Sequence, residues 1–265
     1  MFQVKAKIIQ NKQVKKNFFH LLVDAPEIAG KALPGQFLNI KVSDNLEPLL
    51  RRPLGVHRVS KNNIAMLYEV VGNGTQILSQ RKAGEYLDII GPLGNGFDYQ
   101  SPVTCHLSPV LVAGGMGVAP LLFLADFLAH SKSFKSLVFI GAKTKSQLTC
   151  VQEFRELGCK VKIATDDGSM GFKGRVSDLL THFLQATGDR RQATIFSCGP
   201  RPMLKAVSEI SRKFKIPAQI SLEEHMSCGI GACMGCVVQT TSGYKRICKE
   251  GPVFHADEIV WEREK

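Results

Sequence analysis

The sequence lacks the long apolar stretches that membrane insertion requires. No apolar run in its 265 residues approaches the roughly 18 residues of a membrane-spanning helix, so none is expected. The first segment, MFQVKAKIIQNKQVKKN, lacks a continuous apolar stretch followed by a small-residue cleavage site, and we expect no secretory signal peptide. Eight cysteines without features of secretion, half of them in one cluster, indicate the reducing cytoplasm.

The sequence also lacks the signs of disorder and of nucleic-acid binding. Its content of 44% hydrophobic and 22% charged residues is typical of a folded globular protein. The net charge of +11 requires an explanation, and nucleic acid is one candidate partner. However, the lysines and arginines are spread along the chain without an aromatic-rich RNA-binding pattern. An anionic cofactor or an acidic partner subunit is therefore the favoured explanation.

Four cysteines cluster in the last fifth of the chain, with the spacing Cys-x4-Cys-x2-Cys-x11-Cys. They are Cys228, Cys233, Cys236 and Cys248. Thiols so close together serve a disulfide, a zinc site or an iron–sulfur cluster. Zinc knuckles usually contain two Cys-x2-Cys pairs, whereas this segment contains one. The spacing is instead that of plant-type [2Fe–2S] proteins, and the small residues among the cysteines suit a loop that wraps a cluster.

The first hundred residues have the short, alternating apolar pattern of β-strands. Phe2, Val4, Ala6 and Ile8 alternate with polar residues, and frequent glycine, proline and asparagine turns separate such stretches. Several short strands at this spacing predict an antiparallel barrel or sandwich. Residues 75–80 are the one part of this region with a helical pattern.

Two stretches of this β region could bind an anion. Arg52 precedes Pro53 in RRPLGV and could hold a phosphate bidentately, although solvated arginines on an edge strand are an equal alternative. The stretch YEVVGNGT ends a strand and begins a short helix at Gly74 and Thr75. It could present backbone amides and a hydroxyl to an anion, or it could be a simple hairpin turn.

The pattern changes to alternating strands and helices after Pro102. A continuous apolar run, PVLVA, leads into the glycine-rich turn GGMGVAP and then a helix, which together can cradle a phosphate. This turn is neither the common dinucleotide fingerprint nor a P-loop. Further strands are predicted at residues 136–142, 160–165, 193–198 and 218–222, and helices at residues 152–157, 176–186 and 201–214. The alternation predicts a parallel α/β sheet.

Three loops of this region follow strand ends and therefore lie at one edge of the predicted sheet. Their residues are Gly114, Gly115 and Gly117; Asp167, Gly168 and Ser169; and Cys198, Gly199 and Pro200. Ligands of open α/β sheets bind at the carboxyl ends of the strands, so the convergence predicts a nucleotide site. Asp166 and Asp167 would repel a 2′-phosphate, which favours NAD over NADP.

The remaining cysteines and histidines carry no clear chemistry. Cys198 is either a buried, inert thiol or a soft contact in a nicotinamide pocket, and no base accompanies it to make it a nucleophile. The scattered cysteines are read as packing or surface residues: Cys105, Cys150 and Cys159. No metal-ligand spacing links the histidines at positions 57, 106, 182, 225 and 255.

The order of these three parts resembles the ferredoxin-reductase superfamily. Within it, the chain is similar to the electron-transfer subunits of class B, NAD-dependent dihydroorotate dehydrogenase, and the resemblance covers essentially the whole sequence. The most specific matching segments are RRPLGV, YEVVGNGT, GPLGNGF, GGMGVAP, DDGSMGFKG, SCGP, SLEEHMSCGIGACMGC and CKEGPVF. The implied domains are an FAD-binding barrel (residues 1–101), an NAD-binding α/β domain (102–220) and a [2Fe–2S] domain (221–265).

The resemblance also implies cofactor contacts. FAD would contact Arg52, Pro53, Leu54, Gly55, Leu67, Tyr68, Glu69, Gly74 and Thr75. NAD would bind at the three strand-end loops, and the four clustered cysteines would ligate the [2Fe–2S] cluster. The family usually has Ser or Thr where this chain has Gly55, so a hydroxyl near the flavin N5 is missing, which affects flavin potential and hydride rate rather than binding.

The implied activity is electron transfer in pyrimidine biosynthesis. In the similar proteins, a separate FMN-containing subunit oxidises dihydroorotate, and electrons pass through the cluster and FAD to NAD. We therefore expect a partner of that kind, with two copies of each subunit, and neither nucleic acid nor membrane as a partner. The alternatives are a related FAD and [2Fe–2S] subunit of a ferredoxin–NADP reductase or sulfhydrogenase-type complex, and a zinc-stabilised nucleic-acid-binding module.

Overall fold

The described residues form two seven-stranded sheets and a small C-terminal hairpin. The computed structural model describes residues 1–100, 108–132, 135–187 and 193–261. The predicted boundary between the first two domains, at residues 101 and 102, lies outside these ranges, as do Cys105 and His106. Within these ranges, no helix is long and apolar enough to cross a membrane.

The first sheet is antiparallel throughout, in the strand order β4-β3-β7-β1-β2-β6-β5. Its strands are β1 (Phe2–Lys15), β2 (Phe18–Asp24), β3 (Phe37–Lys41), β4 (Arg52–Gly55), β5 (Arg58–Ser60), β6 (Asn63–Glu69) and β7 (Tyr86–Leu93). Two helices accompany it, α1 (Pro26–Ala29) and α2 (Asn73–Gln80). Edge strand β4 also contacts β6 near the opposite edge, so the sheet curls into an open barrel. The predicted antiparallel barrel is confirmed.

The alternating apolar pattern fills the barrel from one face of each strand. Ala6 and Ile8 of β1 are buried in the barrel core, as are Leu38 and Ile40 of β3. The intervening residues of β3 point outward, because successive side chains of a strand alternate between faces. Phe37, on that outer face, packs into the hydrophobic core of the second sheet instead. The barrel is therefore joined to its neighbour by a shared apolar contact.

The second sheet is parallel except at one edge, in the order β11-β10-β9-β8-β12-β13-β16. Its strands are β8 (Ser108–Gly114), β9 (Leu137–Ala142), β10 (Lys160–Thr165), β11 (Phe172–Lys173), β12 (Ala193–Cys198), β13 (Ala218–Ser221) and β16 (Val253–His255). The helices are α3 (Val118–Lys132), α4 (Val151–Glu156), α5 (Val176–Thr187) and α6 (Arg201–Phe214). This confirms the parallel α/β sheet that the alternating pattern predicts.

The strand order places a topological switch point between β8 and β12. The chain runs outward from β8 through β9 to β10 and then returns to form β12 on the other side of β8. Helices α3 and α4 pack on one face of the sheet, and α5 and α6 pack on the other. The loops after β8 and β12 therefore open at the position where sheets of this kind bind their ligands.

The C-terminal residues extend the second sheet. A hairpin of β14 (Val237–Thr240) and β15 (Gly243–Arg246) is followed by β16, which pairs antiparallel with β13. This edge strand is absent from the sequence-based expectations, and it ties the end of the chain to the nucleotide-binding sheet. Asn95, after β7, also hydrogen-bonds the Glu250 and Gly251 carbonyls. The C-terminal segment is thus fastened to both sheets, while the domain limit at residue 221 stays a prediction.

Candidate cofactor sites

The cluster loop, residues 227–236, is a glycine-rich turn that brings three cysteines together before β14. Gly229 and Gly231 have φ of +69° and +85°, and Met234 has φ of +58°. The left-handed conformations of the two glycines carry no steric cost. Cys248, after β15, completes the set, because the short β14–β15 hairpin returns the chain to the loop. The four predicted ligands therefore occupy one region.

The four thiols form two pairs. The amide of Cys233 donates to Cys228 Sγ at 3.4 Å, and the amide of Cys248 donates to Cys236 Sγ at 3.4 Å, so Cys228 lies beside Cys233 and Cys236 lies beside Cys248. In the described ranges, no three His, Cys, Asp or Glu side chains converge as ligands of a single ion. Two pairs of thiolates suit two irons, which is the arrangement of a [2Fe–2S] cluster with four cysteine ligands.

Backbone amides point at these sulfurs. Ala232 and Cys233 donate N–H groups to Cys228 Sγ at 3.4 Å, and Gly231 donates to Cys248 Sγ at 3.1 Å. Against the opposing effect of burial, such amides lower the pKa of Cys228 to about 6. The thiolate is the form that binds metal, so the loop prepares this residue as a ligand. Burial and Cys236 raise the pKa of Cys248 to about 12, and a bound cation would deprotonate it outright.

Arg246, in the β14–β15 hairpin, contacts the cluster loop and stabilises it. Its Nη1 donates to the carbonyl of Gly231 at 2.6 Å, and its Nε donates to Glu250 at 3.0 Å. The guanidinium lowers the pKa of Glu250 to about 2, so the carboxylate stays ionised. No motif in the sequence identified this residue, because its role depends on a contact across the hairpin.

The predicted FAD-phosphate residues lie side by side. The Arg52 guanidinium at the start of β4 lies directly against Gly74 in the first turn of α2, and a Cβ at Gly74 would overlap it. Its Nη1 donates to the carbonyl of Leu50 at 2.5 Å, which fixes the group in place. The first amides of a helix have no intrahelical acceptor. A fixed guanidinium beside these amides suits a phosphate, so the residues fit the FAD site predicted for them.

The Thr75 hydroxyl is engaged within its own turn, while the Gly74–Thr75 turn remains a predicted phosphate contact through its backbone. It is buried, and its hydroxyl accepts hydrogen bonds from the amides of Val71 and Gly72 and donates to the Gly72 carbonyl. The hydroxyl therefore closes the turn and is not free for an anion. Arg52 and the remaining amides of the turn are the groups available for a phosphate.

The three predicted flavin contacts of β6 differ in the direction of their side chains. Tyr68 points into the barrel core, where it stacks on Phe19 and its hydroxyl donates to Asn11 at 3.1 Å. Burial raises its pKa to about 12. Because side chains alternate along a strand, Leu67 and Glu69 point away from Tyr68. The Tyr68 side chain is thus part of the barrel core, and its backbone and its two neighbours remain predicted flavin contacts.

Gly55 lies at the junction of the barrel and the second sheet. It pairs with Phe37 on the outer face of β4, whereas Leu54 packs towards the barrel core. A Cβ at Gly55 would meet Pro120 of α3 at 3.9 and 4.0 Å, which is ordinary van der Waals contact. The position therefore has room for the Ser or Thr side chain that the similar proteins usually have there.

We expect Gly55→Ser to retain the fold and FAD and to speed flavin reduction by NADH. A hydroxyl that stabilises the reacting flavin by one hydrogen bond corresponds to roughly five- to tenfold in rate. The measurement is anaerobic rapid mixing with NADH, together with the flavin midpoint potential. Gly55→Ala is the matched control, because it adds the Cβ without the hydroxyl. Equal rates in the serine and alanine variants would exclude the hydroxyl as the cause.

The strand-end loops after β8 and β12 are in direct contact. A Cβ at Gly117 would overlap the Cys198 carbonyl, and a Cβ at Gly114 would lie 2.9 Å from Pro200. Gly199 has φ of +154°, and a Cβ there would lie 2.9 Å from the backbone nitrogen of Gly114. Gly115, at φ of +54°, has open space around its Cα. The glycines thus bring two loops together at the switch point and leave an exposed turn at the start of α3, which suits a pyrophosphate.

Cys198 takes part in the contact between the two loops through its backbone and not through its thiol. The side chain is 2% exposed and packs among the residues that α3 covers. Burial, with the charge of Glu223, raises the pKa of its thiol well above the usual range. The thiol therefore stays protonated. Cys150 and Cys159 are also buried with raised pKa values, in agreement with their interpretation as packing residues.

The loop after β10 forms a local turn two strands from β8. Asp167 accepts hydrogen bonds from the amide and the hydroxyl of Ser169, which lower the pKa of its carboxyl. Ser169 Oγ in turn accepts from the amide of Lys145, after β9. Gly168 permits the turn with φ of +76°. The carboxylate is exposed at the ligand-binding edge of the sheet, where it remains a predicted contact for NAD.

His57 connects the two cofactor regions. It is 6% exposed, just beyond β4, and its ring donates from Nδ1 to the carbonyl of Ala119 in α3 at 3.3 Å. Burial, with the neighbouring His20 and Arg58, lowers the pKa of His57 to about 4. The ring is therefore neutral in the folded protein at neutral pH. Sequence reasoning assigned it no role.

We expect acid to destabilise the fold through His57. Between its ordinary pKa of 6.5 and about 4, the unfolded chain binds a proton that the folded protein does not, so stability falls as pH falls. The loss amounts to about 3 kcal/mol at pH 4. The measurement compares unfolding midpoints of the wild type and His57→Gln at pH 7 and at lower pH. An unchanged pH dependence in the variant would contradict this.

Two family models match the chain in the regions described above. Residues 223–260 match the iron–sulfur cluster binding domain of dihydroorotate dehydrogenase B, and residues 111–209 match the oxidoreductase NAD-binding domain. The first match spans the four paired cysteines. The second includes the loops after β8 and β12 that meet at the switch point.

Curated relatives and solved structures match over larger parts of the chain. One relative is the dihydroorotate dehydrogenase B (NAD(+)) electron transfer subunit of Desulforamulus reducens, 41% identical over 97% of this chain and 98% of that protein. The same subunit of a Geobacillus strain is 38% identical over 98% and 99% of the two chains.

Among solved structures, that of an NADH-dependent reduced ferredoxin-NADP oxidoreductase, described for flavin-based electron bifurcation, superposes with a TM-score of 0.85 at 30% identity. The match covers 97% of this chain and 90% of that one. A ferredoxin NADP+ reductase from Neisseria gonorrhoeae with bound FAD and NADP shares the fold, with a TM-score of 0.66 at 15% identity over 80% and 91% of the chains. With identities near 40% over nearly its whole length, the chain belongs to the family of electron transfer subunits of NAD(+)-dependent dihydroorotate dehydrogenase B.

Proposed function

We propose that this chain transfers electrons from an FMN-containing dihydroorotate dehydrogenase subunit to NAD, in the synthesis of UMP in the cytoplasm. The observation that carries the proposal is the pairing of four cysteines under backbone amides, in a chain that also has a nucleotide-binding switch point. Since NAD accepts a hydride and a [2Fe–2S] cluster passes single electrons, bound FAD supplies the conversion between them.

Different parts of the chain would bind the different cofactors. Arg52 and the first turn of α2 would bind the FAD phosphates. The turn that begins with Gly115 would receive the pyrophosphate of NAD, and α3 would direct the positive end of its dipole at it. The four cysteines would hold the cluster beside the outer face of β3, where Asn39 contacts the backbone of Cys228. The exposed Asp167 disfavours a 2′-phosphate, which supports NAD over NADP.

The exposed edge of the cluster loop supports a protein partner. Cys233 is exposed, and Ile230 and Met234 on either side of it are 44% and 51% exposed. Apolar side chains exposed together at a functional site are typical of an interaction surface. A partner seated there could bring its FMN close to the cluster. We propose a complex with two copies of each subunit, in line with the similar proteins.

The test compares the activity of the isolated chain with that of the chain and its partner subunit together. Purified holo-chain is expected to reduce a dye with NADH and to show no dihydroorotate oxidation, because the substrate-oxidising FMN belongs to the partner. Adding the FMN subunit should restore NAD reduction by dihydroorotate, and the mass of the complex gives its stoichiometry. Dihydroorotate turnover by the isolated chain would contradict the proposal. An absorption spectrum without flavin and iron–thiolate bands would favour a zinc-stabilised module instead.

A second candidate is a subunit of a ferredoxin–NADP oxidoreductase type of complex. The observation that favours it is the full-length superposition with the NADH-dependent reduced ferredoxin-NADP oxidoreductase structure. The higher identity to the dihydroorotate dehydrogenase subunits supports the first candidate. Reconstitution with reduced ferredoxin in place of the FMN subunit distinguishes the two.

A further inference from the structure

Asn39 lies where the barrel meets the cluster loop. It is 1% exposed in the middle of β3, and its backbone pairs with Pro53 of β4. Directly opposed residues of paired strands direct their side chains to the same face. Asn39 and Pro53 therefore share the outer face of the barrel, away from Leu38 and Ile40 in its core. Asn39 thus adjoins the strand that carries the predicted flavin contacts.

The Asn39 amide reaches the first cluster cysteine. Its Nδ2 donates to the carbonyl oxygen of Cys228 at 3.0 Å. The next residue, Gly229, packs so closely on this amide that a Cβ there would overlap Nδ2. The backbone of Cys228 is therefore held against β3, while its Sγ receives the amides of Ala232 and Cys233. One hydrogen bond of Asn39 links a cluster ligand to the barrel.

The other end of the same amide has no partner in the described part of the chain. Oδ1 of Asn39 is buried and accepts no hydrogen bond there. A buried acceptor without a hydrogen bond destabilises the folded state. A native protein therefore keeps such a group where the group has a further role. Replacing the amide by an apolar group of similar size removes one hydrogen bond and one unpaired acceptor together. Such a change should cost little stability, because the two effects offset each other.

We propose that Asn39 is a positioning residue for electron transfer, which sets the coupling between the cluster and FAD by fixing Cys228 against the flavin-binding strands. This inference rests on the proposed function. The bond keeps the ligand backbone, and through it the amides directed at Cys228 Sγ, in a fixed relation to β4. Loss of the bond alters the amide contacts of the sulfur, and such contacts tune a cluster's potential.

The experiment uses the holo-chain with Asn39→Leu, which is similar in size, and Asn39→Ala. Each variant is mixed anaerobically with NADH, and flavin bleaching and cluster bleaching are followed as separate phases. We expect unchanged flavin reduction and cluster reduction slower by about fivefold, the equivalent of one hydrogen bond. The electron paramagnetic resonance spectrum and midpoint potential of the dithionite-reduced cluster should also shift in both variants, and the unfolding midpoint of Asn39→Leu should stay unchanged.

Asn95→Ala is the matched control. It also removes an amide-to-carbonyl bond of 3.0 Å between the barrel and the C-terminal segment, but the carbonyl belongs to Glu250 and not to a cluster ligand. It should leave both phases and the resonance spectrum unchanged. Cluster reduction at the wild-type rate in both Asn39 variants would overturn the inference, as would loss of the cluster from both with FAD retained. Failure of NADH to reduce the wild-type cluster would instead overturn the proposed function.

Discussion

Replacing Gly117 by alanine is expected to lower NADH oxidation by roughly 100-fold, the loss that a displacement of about 1 Å can cause at a site of this kind. The added Cβ would overlap the carbonyl oxygen of Cys198, which belongs to the loop after β12. Backbone atoms cannot rotate away as a side chain can, so the two loops must separate. The predicted pyrophosphate turn then loses its position relative to the neighbouring loop. Steady-state kinetics and NADH titration of the holo-chain measure the effect.

The control is Gly30→Ala, because that added Cβ would meet its nearest atom at 3.5 Å and the backbone is right-handed there. It should retain activity. FAD and cluster absorption should persist in Gly117→Ala, since neither predicted site includes this loop. Wild-type affinity for NADH in Gly117→Ala would show that the contact between the loops does not form the nucleotide site.

Replacing Cys236 by alanine is expected to reduce iron and sulfide content to background. Cys236 is 2% exposed and its Sγ accepts the amide of Cys248, so the substitution removes a buried ligand that lies beside the fourth cysteine. The iron–thiolate absorption should disappear, whereas the flavin bands and NADH–dye activity should remain, because hydride exchange with FAD does not require the cluster. NAD reduction by dihydroorotate with the partner subunit should be lost.

Cys159→Ala is the matched control for this substitution, since the thiol is also buried but lies in the core covered by α3 and α4. It should keep its iron and its coupled activity and lose only a little stability, as expected when a small buried group is removed. Retention of iron by Cys236→Ala would contradict the ligand assignment. Loss of FAD together with the cluster would indicate that the loop also supports the barrel.

The elements of the second sheet follow closely from local pattern. The helix predicted at residues 201–214 has those limits, and the apolar run before Gly114 is a buried strand. Both signals are local, because a fully buried strand is apolar throughout and a helix shows its period within a few turns. The cysteine spacing is equally local, and amide-to-sulfur hydrogen bonds show the four residues together as two pairs.

Other features depend on residues far apart in sequence. The Thr75 hydroxyl closes its own turn, and the Tyr68 side chain packs in the barrel core against Phe19 and Asn11. Both belong to motifs with a predicted cofactor role, but a motif does not specify which face of a strand is buried. The edge strand β16 and the amide of Asn39 are further cases, since the partners of β16 lie 32 to 36 positions away and the partner of Asn39 lies 189 positions away.

The sequence by itself determined which cofactors are expected. The signals are the cysteine spacing, the glycine turns after apolar strands and the order of the three parts. These are properties of neighbouring residues, and each constrains the backbone locally. The tertiary structure alone decided how those parts are connected. It placed Asn39 under Cys228, Arg52 against Gly74 and Gly117 against Cys198. Such contacts arise when separate sheets pack together, and no local pattern encodes them.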